Sequence, residues 1–81
     1  MKIDQSKVDE MTLALMYLVM HLRQKGNGAR AWKSFDWETM DRLHEQGWIT
    51  DPKSKAKSVG VTEEGFLRAQ AAFEQHFSNR E

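Results

Sequence analysis

Eighty-one residues leave room for one domain with one small core, and a core of that size is marginal on its own. Twelve basic and twelve acidic side chains cancel overall but are unevenly spread along the chain. Cysteine is absent, which excludes disulfides and thiolate metal sites as staples and suits a reducing cytoplasm, the expected location.

The first residues, MKIDQSKVDE, lack the apolar stretch of a signal peptide. Helix 1 is predicted to start near Ser6, with Asp9 three residues later as a capping-box partner. Val8, Met11, Leu15, Leu18, Val19 and Leu22 fall on one stripe at helical spacing, so Leu18 is expected in the core. Leu13, Met16, Tyr17 and Met20 lie off that stripe. A helix that is apolar on most of its circumference is buried on most of it. These four residues are therefore the candidate self-interface of a homodimer. The longest apolar run, Leu13 to Met20, falls far short of the roughly 20 residues a membrane span needs, so no membrane role is expected. Helix 1 is predicted to end at Gly26, where Gly-Asn-Gly tolerates positive φ.

Residues 26–35 carry less information; Arg30 to Ser34 fit a short strand or one helical turn. Helix 2 has clear ends. Asp36 is its N-cap, Phe35 and Met40 form a hydrophobic staple, and Gly47 is the C′ residue, with Trp48 packing back on Leu43. Trp37, Met40 and Leu43 or His44 form its apolar face. Trp48 to Thr50 read as a strand, Asp51-Pro52 opens a turn, Lys53 to Lys57 form a loop, and Ser58 to Val61 return with Val59 and Val61 on one face. Thr62 then caps helix 3, whose stripe is Phe66, Ala69, Phe73 and Phe77; Ser78 to Glu81 are expected to fray.

The order helix, β-hairpin, helix over residues 43–65, LHEQGWITDPKSKAKSVGVTEEG, predicts an α+β, winged-helix-like single domain over residues 1–81. It has three main helices, with a two-stranded β-hairpin wing between the second and third. The run RLHEQGWITDP…SVGVTEEGFLRA resembles the wing half of bacterial regulators of the PadR and MarR types. Across nearly the whole chain, including RAWKSFDW and KAKSV, the sequence is similar to a family of short uncharacterised bacterial proteins grouped only as a domain of unknown function. Neither resemblance implies a catalytic residue. The regulator pattern has a middle helix and turn where this chain has only residues 26–35, and that helix is what positions a recognition helix on DNA.

The cations gather in two loops. Arg23, Lys25, Arg30 and Lys33 form one group, and Lys53, Lys55 and Lys57 the other. Between them lies a helix carrying Asp36, Glu38, Asp41 and Glu45 against Arg42. Arg30, Lys33, Arg42, Lys53, Lys55 and Lys57 are the candidate contacts to nucleic acid or another anionic partner. Acids on helix 2 would face the phosphates of a duplex and weaken binding. Arg30, Trp32 and Lys33 mix an aromatic with cations, as single-strand binding sites do, but a small core is expected to claim Trp32, Trp37 and Trp48. His21, His44 and His76 fall on separate elements without metal-motif spacing, and no catalytic constellation stands out. No catalytic residue, metal or cofactor is therefore expected. The sequence reads as a non-enzymatic binding domain, acting as a homodimer and through contacts with an unidentified protein. The alternative is a DNA-binding regulator that uses the basic wing.

Overall fold

The computed structural model describes residues 1–79. In chain order it contains α1 (Gln5–Met16), a 3-10 turn (Tyr17–Val19), β1 (Met20–Gln24), β2 (Gly28–Trp32), α2 (Trp37–Glu45), β3 (Ser58–Val61) and α3 (Glu63–Phe77). The class is α+β, with three helices and a three-stranded antiparallel sheet in the order β1-β2-β3. The expected arrangement is corrected in one respect: the β-hairpin lies between α1 and α2, not between the second and third helices. Of the predicted wing only an antiparallel bridge, Ile49 to Val61, remains. It is flanked by Thr50 N–H donating to Gly60 O at 2.8 Å and Thr62 N–H to Trp48 O at 3.0 Å. The predicted Trp48–Thr50 strand is thus a short ledge on the far side of β3, which otherwise pairs with β2.

The hairpin forms because helix 1 stops early. α1 is capped by Asp4, whose carboxylate accepts from Lys7 N–H at 3.1 Å, so Ser6 is not the cap. The helix ends at Met16, and the apolar run continues into β1. Gly26 and Gly28, with φ of 87° and 82°, supply a hairpin turn rather than a helix cap. Asn27 N–H closes that turn on Gln24 O at 2.8 Å. Met20 pairs with Ala31 and His21 with Arg30, after which the register shifts through a bulge before Gln24 pairs with Gly28. Leu22 sits in this bulge at φ 52°, a left-handed conformation that costs a non-glycine residue on the order of 1–3 kcal/mol.

Alternation along the strands separates two faces. Ala29 and Ala31 of β2, Val59 and Val61 of β3, and Ile49 point inward. They meet Leu13 and Met16 of α1, Met40 and Leu43 of α2, and Ala69 of α3. All three helices cover this inner face, and the molecule measures only 18 Å across its shortest axis. The expected stripe on helix 1 is corrected accordingly: Leu15, Leu18 and Leu22 are exposed, Leu18 at 65%. Residues once placed off the stripe, Leu13 and Met16, are the buried ones. Trp37, expected on the buried face of helix 2, is also exposed, and Thr39 takes its place beside Met40 and Leu43. Phe77 is exposed at the far end of α3. Of the residues expected to fray, Ser78 and Asn79 lie beyond α3, and Arg80 and Glu81 lie outside the described residues.

The two later helix caps form as expected. Asp36 accepts from Thr39 N–H at 3.1 Å and from its hydroxyl at 2.9 Å. Thr62 accepts from Gly65 N–H at 3.0 Å, and its hydroxyl donates to Gly47 O at 2.8 Å. The next three residues tie the start of α3 to other elements. Glu63 holds Arg23 by two contacts, at 2.5 and 3.0 Å, and accepts from Gly28 N–H at 2.9 Å. Arg23 in turn lies 3.7 Å above the Phe66 ring. Glu64 accepts from Trp48 Nε1–H at 3.0 Å. At Gly65 a β-carbon would stand 2.1 Å from Trp48 O, so only glycine permits this approach.

Arg23 and the Gly28 amide hold the Glu63 carboxyl down to about 2, from an ordinary 4.5. A depressed carboxyl contributes stability above its unfolded pKa and loses that contribution as pH falls toward the folded one. The Glu63 contribution should therefore be complete above about pH 4.5 and fade between there and pH 2. Urea unfolding of the wild type and Glu63→Gln across that window checks this. The gap between the two should narrow steadily as pH falls; a gap independent of pH would contradict it.

Candidate binding surface

With three helices on the inner face, no helix among the described residues covers the outer face of the sheet. The register places His21, Arg30, Trp32, Ser58 and Gly60 on it, with Thr50 lying against Gly60. His21 and Trp32 come from neighbouring strands and stack with ring centroids 4.8 Å apart. The His21 ring is fixed by a hydrogen bond between Nδ1 and Val19 O at 3.2 Å. Trp32, expected in the core, is 52% exposed. β2 then leads into the cap of α2, and Trp37, at the first helical position, is 58% exposed. Trp32, Lys33, Ser34, Phe35, Trp37 and Lys57 line one open groove at this corner.

The candidate cations divide into two groups. Arg42 points away from the corner: it is half-buried and clamps Asp9 of α1, with nitrogen–oxygen distances near 2.9 Å. Arg30 lies on the outer face, donating from Nε to Ser58 Oγ and from Nη2 to Ser58 O, both at 2.9 Å. Lys33 donates from Nζ to Pro52 O at 2.9 Å and to Ser54 O, which ties the 52–57 loop to the end of β2. Pro52 is buried, and Lys53, Lys55 and Lys57 are exposed. Lys53 N–H closes the loop's entry on the Asp51 carboxylate at 2.9 Å. Lys33 and the lysine loop, which lie apart in sequence, therefore meet, while Arg23 of the first basic group is held elsewhere by Glu63. Among the described residues, none of Arg30, Lys33, Lys53, Lys55 and Lys57 forms a salt bridge.

The helix 1 residues do not form a comparable surface. Leu13 and Met16 are covered by the chain itself, at 2% and 0% exposure. Tyr17 and Met20 are half-buried against the core, with the Tyr17 ring 5.2 Å from Phe73 and 5.8 Å from Phe66. What α1 and β1 do present outward is Leu15, Leu18 and Leu22.

Several acids are tied into the fold. Hydrogen bonding to His76 lowers the Glu10 carboxyl, the Thr39 hydroxyl lowers Asp36, and the Trp48 indole lowers Glu64. On α2, with Thr39, Met40 and Leu43 facing the core, helical spacing turns Glu38, Asp41 and Glu45 to the opposite side. Among the described residues no three His, Asp or Glu side chains converge as metal ligands, and no helix is long and apolar enough to cross a membrane.

Sequence reasoning picked out the cations but missed His21 and Trp37 as surface residues. One signal for His21 was available: Asn27-Gly28 between two apolar runs is a hairpin pattern. Pairing the flanking strands puts His21 and Trp32 on the same face.

A relative from Sinorhizobium fredii (strain NBRC 101917 / NGR234), "Uncharacterized protein y4hR", is 46% identical over 78 residues, covering 96% of this chain and 99% of that protein. No solved structure matches. The family profile described as "Domain of unknown function (DUF6429)" matches residues 4–79, from the cap of α1 to just beyond α3, and the chain belongs to that family.

Proposed function

We propose that this chain is a non-enzymatic binding domain, and that it binds an anionic partner through the outer face of the sheet and the adjoining 52–57 loop. The observation that carries this reading is charge separation. In a chain of net charge zero, Asp9, Glu10, Glu63 and Glu64 are spent on internal partners and Glu38, Asp41 and Glu45 face solvent from α2, while among the described residues five cations around Trp32 and Trp37 form no salt bridge and contact neutral oxygen atoms or solvent. Such a patch attracts polyanions even on a neutral protein, and salt screens the attraction.

Catalysis has less support. General acid–base work needs a positioned pair with free access to substrate. The groove between α1 and α3 does contain Asp9 and Glu10, but Arg42 holds the first and His76 the second. The test is retention on a heparin resin at low salt. The wild type should be retained and elute as salt rises. Replacing Lys53, Lys55 and Lys57 together by Gln should send the protein to the flow-through with its thermal stability intact. A wild type that fails to bind at low salt would overturn the proposal.

A second reading, self-association, is favoured by one observation. Leu22 is 71% exposed and held at positive φ, so it contributes little to its own fold at a position that disfavours it. Leu15 and Leu18, in the segment that leads into β1, the edge strand of the sheet, are exposed as well. The homodimer and protein contacts expected of helix 1 are accordingly proposed at these three leucines rather than at Leu13 and Met16. Sedimentation equilibrium should give a dimer for the wild type and a monomer for Leu18→Lys with Leu22→Lys. A wild type that remains monomeric at high micromolar concentration would remove this reading.

A further inference from the structure

We propose that the corner between β2 and α2 is a binding site for single-stranded nucleic acid, with Trp32 and Trp37 as platforms for unstacked bases and the neighbouring lysines as phosphate contacts. This inference rests on the anionic-surface proposal and narrows its partner. Aromatic faces beside a cationic track are the recurring chemistry of single-strand binding, because every base offers a π-face and every linkage a charge. Both halves are present. Trp32 and Trp37 are 52% and 58% exposed and line one groove with Lys33 and Lys57 between and beside them.

The groove is braced rather than loose. Stacking on His21 fixes one side of the Trp32 ring, and His21 is itself held on Val19 O. Lys33 ties down the loop carrying Lys53, Lys55 and Lys57 through the carbonyls of Pro52 and Ser54. The Asp51 carboxylate at the loop's entry takes the Lys53 amide, and among the described residues none of these lysines forms a salt bridge. A preformed site loses less entropy when a flexible strand settles on it.

A duplex fits this surface less well. Its base faces are already stacked on one another and unavailable to an indole. α2 offers a groove Glu38, Asp41 and Glu45 on its solvent side, which repel phosphates. Arg42, the one cation of α2, is committed to Asp9. An acidic peptide would satisfy the lysines but leave the two indoles without planar partners.

The experiment is a fluorescence anisotropy titration of the full chain with labelled oligouridylate and oligothymidylate of about 12 nucleotides. A mixed-sequence duplex and polyglutamate serve as competitors, and tryptophan emission is recorded in parallel. The inference predicts binding by the single strands, quenching of tryptophan emission and weaker competition by duplex and polyglutamate. Trp37→Ala and Trp32→Ala should each weaken binding by roughly 5- to 100-fold. Thermal melts check the folding of both variants. Trp37 lies at an exposed helix start, so its variant keeps the test decisive if Trp32→Ala unfolds.

If polyglutamate competes equally and Trp37→Ala binds as well as the wild type, the single-strand inference fails while the anionic surface stands. Preference for the duplex also overturns it. If neither the oligonucleotides nor polyglutamate binds at low salt, both proposals fail together.

Discussion

The fold depends on the four residues that open α3. Thr62, Glu63, Glu64 and Gly65 together fasten the helix start to the 47–48 segment and to the β1–β2 turn. Thr62 reaches the end of α2 at Gly47, and Glu63 reaches the β1–β2 turn through Arg23 and Gly28. Glu64 takes the Trp48 indole, and Gly65 lets the Trp48 carbonyl approach where a side chain would collide. Gly28 meets the same kind of limit from the other side: a β-carbon there would stand 1.8 Å from Val61 O. β3 is thereby held between β2 and the Ile49 ledge, with Val59 and Val61 turned inward. α3 leaves at an angle that lays Ala69 on the core.

This junction also sorts the charges. Glu63 and Glu64 are consumed in fastening α3, as Asp9 and Glu10 are in contacts with Arg42 and His76. Arg23, Arg42 and Arg68 are the arginines these pairs engage. Among the described residues, the charges outside these pairs separate: Glu38, Asp41 and Glu45 face solvent from α2, and Arg30, Lys33 and the 52–57 lysines gather by the outer face of the sheet. Because the helices form a single layer, no helix among the described residues covers that outer face. The cationic corner is thus what remains when a small two-layer domain commits these carboxylates to other partners.

The locally determined features were legible in the sequence. Asp36 and Thr62 as caps, Gly47 at positive φ and the shared face of Val59 and Val61 each follow from a few adjacent residues. The end of helix 1 was not legible. Leu13 to Met20 is a short apolar run, and periodicity alone does not separate a helix from a strand in such a run. Gly26 and Gly28 suit a helix end and a hairpin equally well, and the choice is made by β2, which needs a partner on each edge. The tryptophans misled for a related reason. Met16, Met40, Leu43, Ile49 and Val59 already fill the small core, leaving Trp32 and Trp37 outside. The cationic corner was half legible: the lysines and Arg30 stood out by type, but their meeting depends on the Lys33 contact with Pro52 and Ser54.

Gly65→Ala tests the junction most directly, because two effects predict opposite signs. Helix propensity alone would have alanine stabilise a helical glycine position by about 0.5–1 kcal/mol. The approach of Trp48 O to within 2.1 Å of the new β-carbon forces the helix and the Trp48 ledge apart, as overpacking does, at a cost of about 1–3 kcal/mol. Urea unfolding of the two proteins should therefore show Gly65→Ala less stable than the wild type. An alanine variant that is equally stable or more stable would contradict the account, since the close contact between α3 and residue 48 could not then be what holds the domain together.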